Sequence, residues 1–366
     1  MEVHFYQTGC ADAARISFLD EQKKPRHILI DAGFERTFRQ LLGKEIATIA
    51  SRGEKINLWI ISHIHDDHIG GALAYVNAVK ASLIPDIVEK WWYNAPRKIQ
   101  VICPSVRSQI SYSASIKQGD QLSDYLCTGR SWDRVPILSG GQLYEIGGLK
   151  IILLSPGAKQ LSRLQKKYKL PSVPLEHIEK QQISEAKGMA MRDYRLRVDE
   201  LEQLSFNEDN NIENGSSISL LVDYKDFKIL WLADAHPSVI AESLAALGYT
   251  EEHPIICDWV KVAHHGSAAN NSLALYRLIQ CSNYVISVNG DNQHGLPNKM
   301  ALVNILNSRK HPVRDHYRFY FTHDDNILRS IFSADGDGIF NRLNFSMHYS
   351  GNHKSIKVVI PDAFKS

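Results

Sequence analysis

Ser62-His63-Ile64-His65-Asp66-Asp67-His68-Ile69-Gly70-Gly71 packs three imidazoles and two carboxylates between an apolar run, Leu58-Trp59-Ile60-Ile61, and a pair of glycines. A strand that runs into a loop and then a helix is the expected local structure. Nitrogen and oxygen donors without a cysteine suit Zn²⁺ and also Mn²⁺ or Fe. They argue for a site with open positions and against a closed structural zinc site.

Working outward, the segments flanking this stretch repeat one plan. Ile16-Ser17-Phe18-Leu19, a polar turn at 20–25 and Ile28-Leu29-Ile30 form a hairpin ending in Asp31-Ala32-Gly33. Ile218 to Val222, a polar turn at 224–226 and Ile229-Leu230-Trp231-Leu232 form a second one, ending in Asp234-Ala235. Each hairpin leads through a helix-like stretch to a third apolar strand that ends in histidines: His63 after Leu58–Ile61, and His264-His265 after Trp259-Val260-Lys261-Val262. Near-continuous apolar strands imply sheets covered on both faces. The expectation is an α/β fold, a four-layer αββα sandwich, with the site where strand ends of both halves meet.

His-x-His-x-Asp-His after an apolar strand resembles the signature of the metallo-β-lactamase superfamily. Lys261-Val262-Ala263-His264-His265-Gly266-Ser267 is similar to the motif of the hydrolase domain in competence DNA-uptake proteins of the ComEC kind. The resemblance covers residues 3 to about 307 and implies two divalent metal ions, Zn or Mn. Their ligands would be His63, His65, Asp67, His68, Asp234 as bridging carboxylate, and His265. Asp31 would support the histidine loop, and Asp67 and His264 would be catalytic, the latter facing substrate.

Two departures stand out. Asn292-Gln293-His294-Gly295-Leu296-Pro297 resembles the Asn-x-Tyr-Gly-His-Pro loop of those domains with its histidine displaced. The family's lone histidine before the second hairpin is missing, Asn210 to Ser217 standing there instead, which makes a single ion an alternative to two.

Such a cluster supports a metal-bound hydroxide that attacks phosphorus or carbonyl carbon. The expected activity is that of a phosphodiesterase or nuclease acting on DNA, with Lys261, Ser267, Asn292 and Lys117 as phosphate donors. The competing expectations are a small-molecule ester or lactone hydrolase of the phosphocholine-esterase sort, and a regulated metal-binding partner protein without turnover. A role in defence against foreign DNA would follow from the subfamily resemblance.

Composition narrows the setting. The 366 residues, 44% hydrophobic and 22% charged, suffice for a large core, read here as one domain over 1–366. A net charge of +2 excludes a generally basic, nucleic-acid-coating surface, so any such contact requires a local patch. No run reaches the apolar length of a membrane helix, which predicts a cytoplasmic protein without membrane contact. Cys10, Cys103, Cys127, Cys257 and Cys281 lack CxxC spacing and read as buried free thiols. Residues 158–204, polar and carrying leucines at loosely helical spacing, are expected as a helical insertion, a candidate surface for a partner. Residues 311–366 are expected to supply closing edge strands. A homodimer is compatible with this pattern.

Overall fold

The computed structural model describes residues 1–98, 114–129, 131–169, 192–311 and 314–360. Its strands in chain order are β1 (Glu2–Tyr6), β2 (Ala13–Leu19), β3 (Pro25–Asp31), β4 (Leu58–Ile61), β5 (Trp91–Tyr93), β6 (Leu143–Ile146), β7 (Leu149–Ser155), β8 (Ser219–Tyr224), β9 (Phe227–Trp231), β10 (Ile255–Ile256), β11 (Trp259–Lys261), β12 (Ile279–Gln280), β13 (Asn283–Ile286), β14 (Tyr317–Phe321), β15 (Phe345–Tyr349) and β16 (Ser355–Val359). One six-stranded sheet has the order β16-β1-β2-β3-β4-β5, and an eight-stranded sheet the order β15-β14-β13-β11-β9-β8-β7-β6.

Alternation along each strand sorts the side chains into layers. Ile28, Ile30, Leu58 and Ile60 point between the sheets, against Ile151, Leu220, Val222, Ile229 and Trp231 of the second sheet. The alternate residues Leu29, Trp59 and Ile61 face outward onto α1 (Asp66–Lys80), which contributes Ile69, Ala72 and Val76. On the opposite outside, Leu221, Leu230, Val260 and Tyr284 pack on α4 (Pro237–Ala246) and α5 (Lys299–Asn307). The chain is therefore the expected α/β/β/α sandwich. Full burial of each such side chain contributes about 1.5–3 kcal/mol, so the three apolar layers dominate the stability.

The two halves repeat in space as in sequence. β2 and β3 are an antiparallel hairpin with β4 parallel to β3; β8 and β9 are an antiparallel hairpin with β11 parallel to β9. The second hairpin turns through Lys225 and Asp226, both at positive φ (54° and 67°), as a two-residue hairpin with right-handed strand twist requires.

Two expectations need correction. The segment 158–204, expected as a helical insertion with a partner surface, also contributes to the core at its described ends. Helix α3 (Ala158–Lys167) buries Leu161 and Leu164 in the first outer layer, and Tyr194, Val198 and Leu201 are buried in the second. Residues 170–191 of this segment lie outside the described residues. In the tail, β15 and β16 do close the edges of the two sheets, but β14 sits inside the second sheet between β13 and β15.

Trp91–Tyr93 forms β5 at the edge of the first sheet, and α2 (Ala114–Thr128) follows it in the chain. Cys10, Cys127, Cys257 and Cys281 are free; Cys103 lies outside the described residues. Among the described residues no helix is long and apolar enough to cross a membrane.

Candidate metal centre

Four residues at three of the strand ends around the site depart from regular geometry. Asp31 closes β3 at φ 55° and Ala233 follows β9 at φ 47°; His264 and His265 follow β11 at φ 42° and 52°. A left-handed non-glycine residue costs on the order of 1–3 kcal/mol, and four in one place mark a backbone held against its preference. The glycines beside them permit close approach. A Cβ on Gly71 would stand 2.2 Å from the Ala32 carbonyl oxygen, and one on Gly266 2.6 Å from Pro297 Cβ. Gly71 N donates to Gly33 O and Ala32 N to His68 O (2.8 Å each), which locks α1 onto the first hairpin.

The side chains converge on Asp234, which is fully buried. Its Oδ2 is 3.4 Å from His68 Nε2, 3.7 Å from His63 Nε2 and 3.6 Å from His264 Nε2, yet neither oxygen accepts a hydrogen bond. His68 Nε2 is likewise without a hydrogen bond. Ligand atoms around a tetrahedral ion with bonds near 2.0–2.1 Å stand about 3.3 Å apart, so these separations match a coordination shell better than a hydrogen-bond network. Ligand atoms of His63, His65 and Asp234 lie within 4.8 Å of one another, as do those of Asp12, His68, Asp234 and His265. The residues present thus fit divalent metal.

Asp67 Oδ2 lies 3.1 Å from His265 Nε2 and 3.6 Å from His68 Nε2. Supporting groups fix the rings from behind. Asp31 Oδ2 accepts from His68 Nδ1 at 2.9 Å, and its oxygens also accept from Ser62 N and Ser62 Oγ at 2.7 and 2.9 Å. His265 Nδ1 donates to the Ser287 carbonyl (2.9 Å), and His264 Nδ1 is bonded to Asn270 Oδ1 (2.8 Å). Asn270 Nδ2 in turn donates to Asp209 Oδ2 at 3.0 Å. Such outer partners set which ring nitrogen faces the centre.

Burial lowers the His63 and His65 imidazoles below their ordinary range, keeping both in the neutral form that binds metal. Burial acts to raise Asp67 and Asp234, but the neighbouring imidazoles outweigh it: His68 and His265 at Asp67, His264 and His68 at Asp234. Both carboxyls are held below the usual carboxylate range. His65, Asp67 and His264 are the partly accessible members, so the centre opens to solvent on their side.

The four expected phosphate donors divide. Lys261 is wholly buried and paired with Asp12, so it does not face solvent. Asn292 uses its amide within its own loop: Nδ2 donates to Asn289 O and Leu296 O (2.6 Å each), while Oδ1 accepts from His294 N and Leu296 N (3.1 Å each). It shapes the loop that carries Pro297 against Gly266 and is not free for a ligand. Ser267 is 8% exposed beside His265, and Lys117 is exposed on α2, whose Gln118 donates to Asp66. His294 is exposed at the loop tip.

Two groups escaped the reading of the sequence. Asp12 stands alone in Cys10-Ala11-Asp12-Ala13-Ala14, where a single charge among small apolar residues was the only signal. Glu213, where the family's missing histidine was sought, is buried and accepts from Lys167 Nζ at 2.7 Å and from Tyr168 Oη.

No curated protein matches the chain in sequence. Among solved structures, a mutant of CmlA beta-hydroxylase is similar at 11% identity over 98% of this chain and 54% of its own, with a TM-score of 0.40. Zn(2+)-bound PqqB from Methylobacterium extorquens is similar at 9% identity over 98% of this chain and 100% of its own, TM-score 0.40. A long form of RNase Z from yeast is similar at 10% identity over 99% of this chain and 46% of its own, TM-score 0.31. The chain thus spans about half the length of the first and the last of these. Residues 22–101, the stretch that supplies His63, His65, Asp67 and His68, match the family model of the metallo-beta-lactamase superfamily.

Proposed function

We propose that the protein is a metal-dependent phosphodiesterase that acts on DNA. One observation carries the metal dependence: Asp234 is buried with two oxygens that accept no hydrogen bond while three imidazole nitrogens stand 3.4–3.7 Å from one of them. A buried carboxylate without donors costs several kcal/mol, a penalty that a bound cation removes.

In this reading His63, His65 and Asp234 hold one ion, and Asp67, His68, Asp234 and His265 the other, either Zn or Mn. Divalent metal held by these residues would supply Lewis-acid activation of water near neutral pH and would offset charge on a phosphodiester. Asp67, partly accessible, would orient the attacking water and accept its proton. His264, with Nδ1 engaged by Asn270, directs its remaining nitrogen toward the substrate's developing charge.

A polyanionic substrate is favoured by α3. Its Lys159, Arg163 and Lys166 follow at i, i+4 and i+7, all exposed, and none pairs with a carboxylate among the described residues. The helix end is tied to the buried Glu213 through Lys167 Nζ at 2.7 Å. These three cations would supply the local basic patch that a chain of net charge +2 requires for nucleic-acid contact.

The deciding experiment incubates purified protein with plasmid and single-stranded DNA, and with bis(p-nitrophenyl) phosphate, under Mn²⁺, Mg²⁺ and Zn²⁺. Cleavage of DNA that His65→Ala abolishes supports the proposal. Hydrolysis of a small ester or lactone with no action on nucleic acid under any metal replaces it, and metal binding without turnover on any ester makes the protein a metal-binding partner.

A further inference from the structure

We infer that Asp12 and Lys261 form a buried positioning pair for the metal centre, Asp12 acting on the His265 ring and the Asp67 backbone and Lys261 holding Asp12. The inference rests on the metal-centre reading above and assigns both residues a place behind the ligands.

Asp12 Oδ2 is 2.6 Å from Lys261 Nζ, and both side chains are fully buried. The ammonium also donates to Val262 O at 3.0 Å and lies 5.5 Å from the Trp231 ring centroid, so it is saturated from within. Asp12 Oδ1 accepts no hydrogen bond and stands 3.7 Å from His265 Nδ1, the nitrogen bonded to Ser287 O. The opposite nitrogen of that ring faces Asp67 at 3.1 Å. Asp12 therefore lies beside the Nδ1 edge of His265, where its charge favours the ring orientation that Ser287 O fixes by hydrogen bond.

Its backbone does as much. Asp12 N donates to Asp67 O (3.1 Å), and Gly33 N donates to Asp12 O (2.8 Å). One residue thus touches the Asp67 turn, the end of the first hairpin and, through Lys261, the strand that leads to His264 and His265. Asp31 accepts directly from His68 Nδ1 in the first half, whereas Asp12 faces His265 Nδ1 at 3.7 Å as a neighbouring charge while Ser287 O takes that ring's hydrogen bond. Lys261 is needed because a buried carboxylate stripped of its counter-ion is strongly destabilising.

Asp12, His68, Asp234 and His265 also bring ligand atoms within 4.8 Å, so direct coordination by Asp12 is the rival assignment. The test compares full-length wild type with Asp12→Asn, Lys261→Met and the double variant. Three properties are measured: zinc content and affinity by competition, the visible spectrum of the cobalt-loaded protein, and thermal unfolding of the EDTA-treated protein.

Each single variant should lose on the order of 10–100-fold in affinity with an unchanged ion count, Lys261→Met losing more. The double variant should recover most of the Lys261→Met loss, in affinity and in metal-free melting alike. Strict additivity of the singles, or wild-type affinity and cobalt spectrum in Asp12→Asn, overturns the inference. Loss of one whole ion in Asp12→Asn with both kept in Lys261→Met overturns it in favour of a ligand role. If Lys261→Met does not fold, the affinity and cobalt spectrum of the near-isosteric Asp12→Asn decide. A wild type that binds no divalent ion sinks the metal-centre reading instead, a result separate from the metal-free melting cycle.

Discussion

Asp67 Oδ2 stands 3.1 Å from His265 Nε2 across 198 residues of sequence. Neither residue's surroundings make sense without the other half of the chain, and the consequences of that dependence can be measured.

Removing Asp234 should be as damaging to metal content as removing His65 or His68, because it is the carboxylate shared by both ligand groups. Elemental analysis of Asp234→Ala should show loss of at least one ion per chain. Full metal content in that variant would refute the bridging role.

The adjacent histidines should separate by readout. His265→Ala is expected to lose an ion, since its ring is buried and faces Asp67. His264→Ala should keep at least one ion and lose on the order of 100-fold in turnover, the typical cost of removing a donor aimed at developing charge. The reverse pattern in metal analysis would exchange the two roles.

Charge reversal of Lys159, Arg163 and Lys166 should flatten the salt dependence of DNA binding measured in EDTA. Each lost phosphate contact lowers the slope of log K against log salt by about 0.9 for duplex DNA. Hydrolysis of bis(p-nitrophenyl) phosphate should be unaffected. An unchanged slope would remove α3 from the binding surface.

Deleting residues 160–203 should give insoluble protein. Leu161, Leu164, Tyr168, Tyr194, Val198 and Leu201 are all buried, and truncating one buried leucine alone costs about 2–5 kcal/mol. Their combined loss exceeds the roughly 5–15 kcal/mol that stabilises a typical domain. A soluble, metal-loaded deletion product would place these residues outside the core.

Acid should weaken the contact between Gly9 and the second half. His323 Nε2 accepts from Gly9 N at 3.1 Å, and burial lowers its pKa from 6.5 to about 4. Between those values the unfolded chain binds the extra proton, so this contribution is complete above pH 6.5 and is lost as pH falls toward 4. In urea titrations at pH 7 and pH 4.5, His323→Gln should lose less stability on acidification than wild type. Equal losses would exclude His323 as a source.

The hairpins, the Ser62–Gly71 turn and the layered sandwich were legible because each is written within a few tens of residues as a period of two, a glycine pair or a ligand spacing. Lys261 was misjudged because a lysine at a strand end ordinarily reaches solvent. Only the position of Asp12, on a distant loop, turns it inward. Asn292 was misjudged because an amide can serve a ligand or its own loop, and the choice depends on where Leu296 and Asn289 fold. The described ends of 158–204 looked like surface because polar residues outnumber leucines there. Burial followed the few leucines, not the average.

Pairing of β16 with β1 joins residues 355–359 to residues 2–6. During synthesis the first sheet therefore waits with β1 as an open edge until almost the whole described chain has been made. A long loop closure of this kind is slow, and an unpaired edge invites association with other nascent chains. The first half, with its histidine loop, would be assembled early but kept unsealed, so chaperone dependence and co-translational aggregation should be governed by the last strand rather than by that loop.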